Sequence, residues 1–173
     1  MIIESRQAEH EAALDIAKAM CVAARTAPKT RGIDNIVTCI LTDDDIKKLS
    51  EKMCEVGEEG SSIIRDAGNI LQAEAVVLIG VKKETYGLDC GYCGFENCAG
   101  CKESGGECIF ATTDLGIAVG SAVSLAADNR IDNRVMYSVG KVYAMTKEKD
   151  GTIWMGIPLS TTGKSPFFDR KKK

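Results

Sequence analysis

Five cysteines crowd into one short stretch of this chain, LDCGYCGFENCAGCKESGGEC: Cys90, Cys93, Cys98, Cys101 and Cys108. Two thiolates two residues apart on a tight turn can ligate one metal centre. Gly91 and Gly94, each directly after a cysteine, supply that turn and let backbone N–H groups approach sulfur. The spacing C-x2-C-x4-C-x2-C-x6-C suits an iron–sulfur cluster. Four thiolates also satisfy tetrahedral zinc, and a metal-free loop is the remaining alternative. Two four-ligand sets are open: Cys90, Cys93 and Cys98 with Cys101, or the same three with Cys108. Thiolate ligands in a reducing compartment favour iron–sulfur over zinc. Cys21, Cys39 and Cys54 fall in predicted helices or a strand and read as buried small hydrophobes.

The chain's start, MIIESRQAEHEAAL, lacks a basic segment followed by an apolar one, and the longest strongly apolar run, AVVLIGV, is far short of the ~20 residues that span a bilayer. The expectation is a cytoplasmic protein with reduced thiols and no membrane contact. Its 173 residues suit one domain, 1–173, with a cluster loop over 82–110. A formal charge of −3 argues against a general nucleic-acid binder, and the basic end from Arg170 to Lys173 reads as a solvated tail. The single histidine, His10, reads as a solvated helix residue, which leaves little for Ser-His-Asp or Cys-His catalysis.

Hydrophobic periodicity predicts a helix from Ser5 to Arg25 with Ala8, Ala12, Ile16, Ala19, Met20 and Ala23 on one face. Ile36 to Leu41 reads as a strand. A helix follows from an acidic first turn at Asp43 to about Val56, and another covers Ser61 to Leu71. Ala75 to Val81, without alternation, reads as a strand buried on both faces. After the cysteine loop, Thr113 or Asp114 is expected to cap a helix through Ala127, its Gly116 and Gly120 permitting close approach of another backbone, the cysteine loop or a bound cofactor. Asn133 to Lys147 reads as a helix and Thr152 to Ile157 as a last strand. The order points to an α+β or layered α/β fold with a small central sheet flanked by helices.

The run LDCGYCGFENC, then CIFATTDLGIAVGSAVSLA, DNRVMYSVGK and MGIPLSTTGKSPFFDR, resembles an uncharacterised family of prokaryotic ferredoxin-domain proteins. The C-x2-C-x4-C part also resembles the [4Fe-4S] module of corrinoid iron–sulfur proteins, whose fourth cysteine lies farther downstream. That resemblance matches Cys108, with Cys101 an additional candidate. The frame resembles flavin-dependent nitroreductases: a helix leading into ATAPKTRG, a later D-x-G-x-A helix, and an end with Gly156, Pro158, Lys164 and Arg170. This second resemblance implies a homodimer with FMN at its interface. It makes Arg25, Lys29, Thr30, Arg31, Lys164 and Arg170 the positions to hold the FMN phosphate. TTGKS lacks the first glycine of a P-loop, so no ATP site is expected.

Two functions follow as expectations. One is an iron–sulfur oxidoreductase passing electrons to bound FMN, a redox partner protein or a small-molecule acceptor. The other is a non-enzymatic module in which zinc or a cluster staples an interaction loop. Tyr86, Asp89, Tyr92 and Glu96 lie in or beside the loop and read as loop hydrogen-bonding or solvated groups, with none named as catalytic.

Overall fold

The computed structural model describes residues 2–147 and 151–168. Its centre is β2 (Ala75–Val81), buried at every position. Antiparallel pairing places β1 (Ile36–Leu41) on one side of it and β4 (Ile153–Ser160) on the other, with the two-residue β3 (Asp132–Asn133) outside β4. Side chains alternate across a strand, so β2 feeds two cores. Ala75, Val77, Ile79 and Val81 pack into one and Val76 and Leu78 into the other. That explains a run with no polar residue in it.

Helices α1 (Ser5–Thr26) and α5 (Ile109–Asp128) cover the first face. They meet through alanines: Ala17 and Ala24 of α1 and Ala118, Ala122 and Ala126 of α5 have no exposed surface. Short side chains bring the two backbones close enough for Ser121 to donate to the Ala23 carbonyl of the facing helix at 3.1 Å. The stripe that α1 buries is Ala13, Ala17, Met20 and Ala24, one position on from the face read in the sequence apart from Met20. Among the described residues, no other part of the chain, the cysteine loop included, closely approaches Gly116 or Gly120. A Cβ at either would meet nothing within 4 Å. By length and composition α5 is apolar enough to cross a membrane, a property the interrupted apolar runs of the sequence did not reveal. Here it packs on α1 and the sheet.

Helices α2 (Asp43–Val56), α3 (Ser62–Ile70) and α6 (Tyr137–Met145) cover the second face. Buried Asp66 of α3 accepts from Ser138 of α6 and is paired with Arg65. Gly140 of α6 lies against the Trp154 backbone, where no side chain fits. The helix expected from Asn133 begins only at Tyr137. Asp132 and Asn133 pair with Ser160 and Leu159, and Met136 exchanges two backbone hydrogen bonds with Gly156. The edge of β4 needs a partner, and this outweighs the helical spacing of Val135, Met136 and Val139.

His10 is not simply solvated: its Nδ1 lies 2.9 Å from buried Glu74, which Arg6 also pairs. Burial would raise the Glu74 pKa, but the His10 and Arg6 bonds outweigh it and hold the carboxyl below its ordinary value. Cys21 and Cys39 are half-buried as expected of small hydrophobes, Cys39 beside the Tyr143 hydroxyl at 3.0 Å, but Cys54 is exposed.

Candidate functional site

Residues 82–108 leave the end of β2 and return to the start of α5. The segment contains a helix absent from the sequence reading, α4 (Cys98–Glu103), capped by Asn97, whose side chain accepts from the Gly100 N–H at 2.9 Å. Before it the chain turns tightly, with positive φ at Asp89, Gly91 and Gly94. At the two glycines the left-handed backbone costs no steric penalty. Asp89 ties the turn to the helix: Cys98 N–H donates to its carboxylate at 2.7 Å, and its own N–H donates to Cys98 Sγ at 3.4 Å. Its role is the loop hydrogen bonding anticipated from the sequence.

Four thiols converge in this way. Cys90, Cys93, Cys98 and Cys108 line one cavity whose other walls are Tyr86, Leu88, Gly91, Asn97 and Phe110. Tyr92 stacks on Phe110 with ring centroids 6.2 Å apart. Cys108 sits at the N-cap position of the twenty-residue α5, at the positive end of the helix dipole. Cys101 does not line the cavity; it faces inward from α4 without exposed surface. Desolvation and the adjoining Cys93 thiol push its pKa up, and the Cys108 and Cys98 thiols lie near enough to add to the shift. Cys108 thus joins Cys90, Cys93 and Cys98 along the cavity, while Cys101 lies against Cys93 behind it.

Among the described residues, no three His, Cys, Asp or Glu side chains already stand close enough to share one ion. Four thiolates bound to zinc at about 2.3 Å would lie roughly 3.8 Å apart. Cluster ligands spread more widely, because each binds a different iron atom. The enclosed space is about 10 Å³, the size of one water, so seating a cluster requires the loop to open outward. In donor type and number the residues fit an iron–sulfur cluster, and the thiols would rearrange to hold one.

Behind the cavity stands a buried carboxylate. Asp114 was expected to cap α5, but the helix starts at Ile109 and Asp114 lies one turn inside it, 2% exposed. It accepts from the Tyr86 hydroxyl at 2.7 Å, the Thr30 hydroxyl at 2.9 Å and the Thr30 N–H at 3.0 Å. Burial and the Asp114 carboxylate hold the Tyr86 phenol protonated, its pKa pushed far above the ordinary value. Tyr86 thus links the cysteine cavity to the segment expected to bind phosphate. The sequence signal for Asp114 is an acidic residue in an otherwise apolar helix.

Two of the four side chains of that basic segment, Lys29 and Thr30, turn inward. Lys29 Nζ donates to the carbonyls of Ala24, Arg25 and Ala27, using all three of its N–H groups. Thr30 gives both its donors to Asp114. Arg25 binds Asp34 and the Ile36 carbonyl, and Arg31, at φ 56°, donates to the Tyr86 carbonyl. Lys29 and Thr30 thus have their donors engaged within the chain, while Arg25 and Arg31 are exposed and each binds through one guanidinium nitrogen. Lys164 lies in the loop after β4, its carbonyl accepting from Thr162, and Arg170 lies outside the described residues.

Residues 104–170 match the family described as "uncharacterized protein containing a ferredoxin domain". A protein of Archaeoglobus fulgidus, itself described only as uncharacterized, is 38% identical over 183 aligned positions covering 100% of both chains. Among solved structures, a Bacteroides fragilis nitroreductase with bound FMN superposes with a TM-score of 0.60 at 10% identity, covering 100% of this chain and 85% of its own. A Desulfitobacterium hafniense nitroreductase with bound FMN gives 0.58 at 14% identity, covering 87% and 78%. At such identities the likeness establishes the fold alone. The sheet and its two helical layers are those of the nitroreductase fold, and the chain belongs to the family of proteins containing a ferredoxin domain.

Proposed function

We propose that this chain is an iron–sulfur redox protein that carries a [4Fe-4S] cluster on Cys90, Cys93, Cys98 and Cys108 and passes electrons through it. The observation that carries this reading is the convergence of those four thiols on one cavity beneath a tight glycine turn. Bound there, such a cluster would supply one-electron chemistry. The chain's own residues prepare the place. The Asp89 N–H donates to Cys98 sulfur, a bond of the kind that tunes a cluster's potential. The α5 N-terminus sets partial positive charge beside Cys108. Leu88, Phe110 and the buried Tyr86 limit water access, and Tyr86, held protonated by Asp114, takes no proton from the site.

The two nitroreductase neighbours named above contain FMN; in this chain Lys29 and Thr30 are engaged internally, and exposed Arg25 and Arg31 are the positions that could meet a flavin phosphate. The test is the iron, sulfide, zinc and flavin content of protein purified without oxygen. About four irons and four sulfides per chain support the reading. One zinc and a colourless protein would replace it with a structural module.

A further inference from the structure

A second cavity lies on the other side of Cys108. It is lined by Lys83, Glu84, Thr85, Lys102, Gly106 and Cys108, and it encloses about 200 Å³. Cys108 is the one cysteine that lines both this space and the cavity shared by the four thiols. Resting on the cluster reading above, we propose that this second cavity binds a small anion by a carboxylate or phosphate group, beside a ligand of the cluster.

Position makes the first argument. A molecule in this cavity touches a residue proposed to ligate the cluster, so one side chain separates it from the metal. Size makes the second. About 200 Å³ of space open to water leaves room for a small organic anion. Charge makes the third. Lys83 comes from the chain just after β2 and Lys102 from α4, so two separate elements bring cationic groups to one space. Both already hold carboxylates: Lys83 pairs with Glu107 at 2.5 Å and Lys102 with Glu84 at 3.2 Å. These glutamates are 43% and 49% exposed, so water can receive them when a ligand's oxyanion takes their place. Lys83 keeps a bond to the Gly105 carbonyl at 2.8 Å, which anchors it at the rim through such an exchange. The positive end of α5, which starts immediately after Cys108, adds to the attraction.

The test titrates inorganic phosphate and succinate separately, at low ionic strength, into anaerobically purified protein of known iron content. Calorimetry reads binding, and electron paramagnetic resonance of the dithionite-reduced sample reads coupling to the cluster. One probe is expected to bind, and the tighter one names the head group. Lys102→Gln should weaken it about tenfold, as loss of one charge-assisted bond does. Glu84→Gln, which removes the competing carboxylate, should tighten it. Both positions are substantially exposed, so both variants are expected to fold. Saturating ligand should change the resonance of the reduced cluster. If neither probe binds, if both variants bind like the parent protein, or if the resonance of an iron-loaded sample is unmoved by a bound probe, the proposal is overturned. Iron-free protein that binds a probe with the stated dependence on Lys102 and Glu84 would support the site itself while removing the cluster reading on which its role depends.

Discussion

Cys98 and Cys101 lie three residues apart on α4, yet only Cys98 lines the cavity. The spacing left both sets open, while the resemblance already matched Cys108. The thiol content of the site was legible in the sequence; that the return of the chain to α5 brings Cys108 to the cavity was not. Serine at Cys90, Cys93, Cys98 or Cys108 is therefore expected to reduce iron from about four per chain to below one, while Cys101→Ser retains it. Iron and sulfide analysis of the five variants checks this. Glu74 supplies a second residue-scale prediction. Its pKa is depressed in the folded protein by His10 and Arg6. Its contribution is thus present above the ordinary glutamate pKa and is lost as pH falls through the lower folded value. Glu74→Gln should cost about 1–2 kcal/mol at pH 7. The penalty should shrink below about pH 4.5, as denaturant unfolding at both pH values would reveal.

Elements were legible where one local signal acted alone. β2 was clear from its unbroken apolar run, and α2 and α3 fell close to their expected bounds. Errors arose where distant chain decided. Residues 132–136 carry helical spacing but complete the edge of β4. α5 begins several residues before its expected start, and the aspartate taken for its cap receives Thr30 and Tyr86 from far along the chain. The contact of α6 with β4 is equally invisible in sequence. It depends on Gly140, since a Cβ there would enter the Trp154 carbonyl. Gly140→Ala is expected to destabilise the fold by at least about 2 kcal/mol, at the upper end of overpacking costs, despite the better helix propensity of alanine. Thermal unfolding should show a midpoint several degrees lower. An unchanged midpoint would mean that α6 does not sit on β4 as described.

At the scale of the whole molecule, a nitroreductase fold and a ferredoxin-domain family meet in one chain. The frame was legible from a few dispersed motifs because they mark the joints of the fold: the end of α1, the interior of α5 and the loop after β4. The use of that frame was not legible. In the sequence, Lys29, Thr30 and Arg31 look like a phosphate site; in the folded chain they close α1, satisfy Asp114 and hold the Tyr86 backbone. The same Tyr86 and Asp114 brace the cysteine cavity from behind. The segment that resembles a flavin contact in sequence thus supports the thiol site in structure. The most direct measurement is metal analysis of protein purified without oxygen, together with its visible spectrum. About four irons and four sulfides per chain, with broad visible absorption that bleaches on reduction, is the predicted result. A colourless protein without iron, or with one zinc per chain, would contradict it.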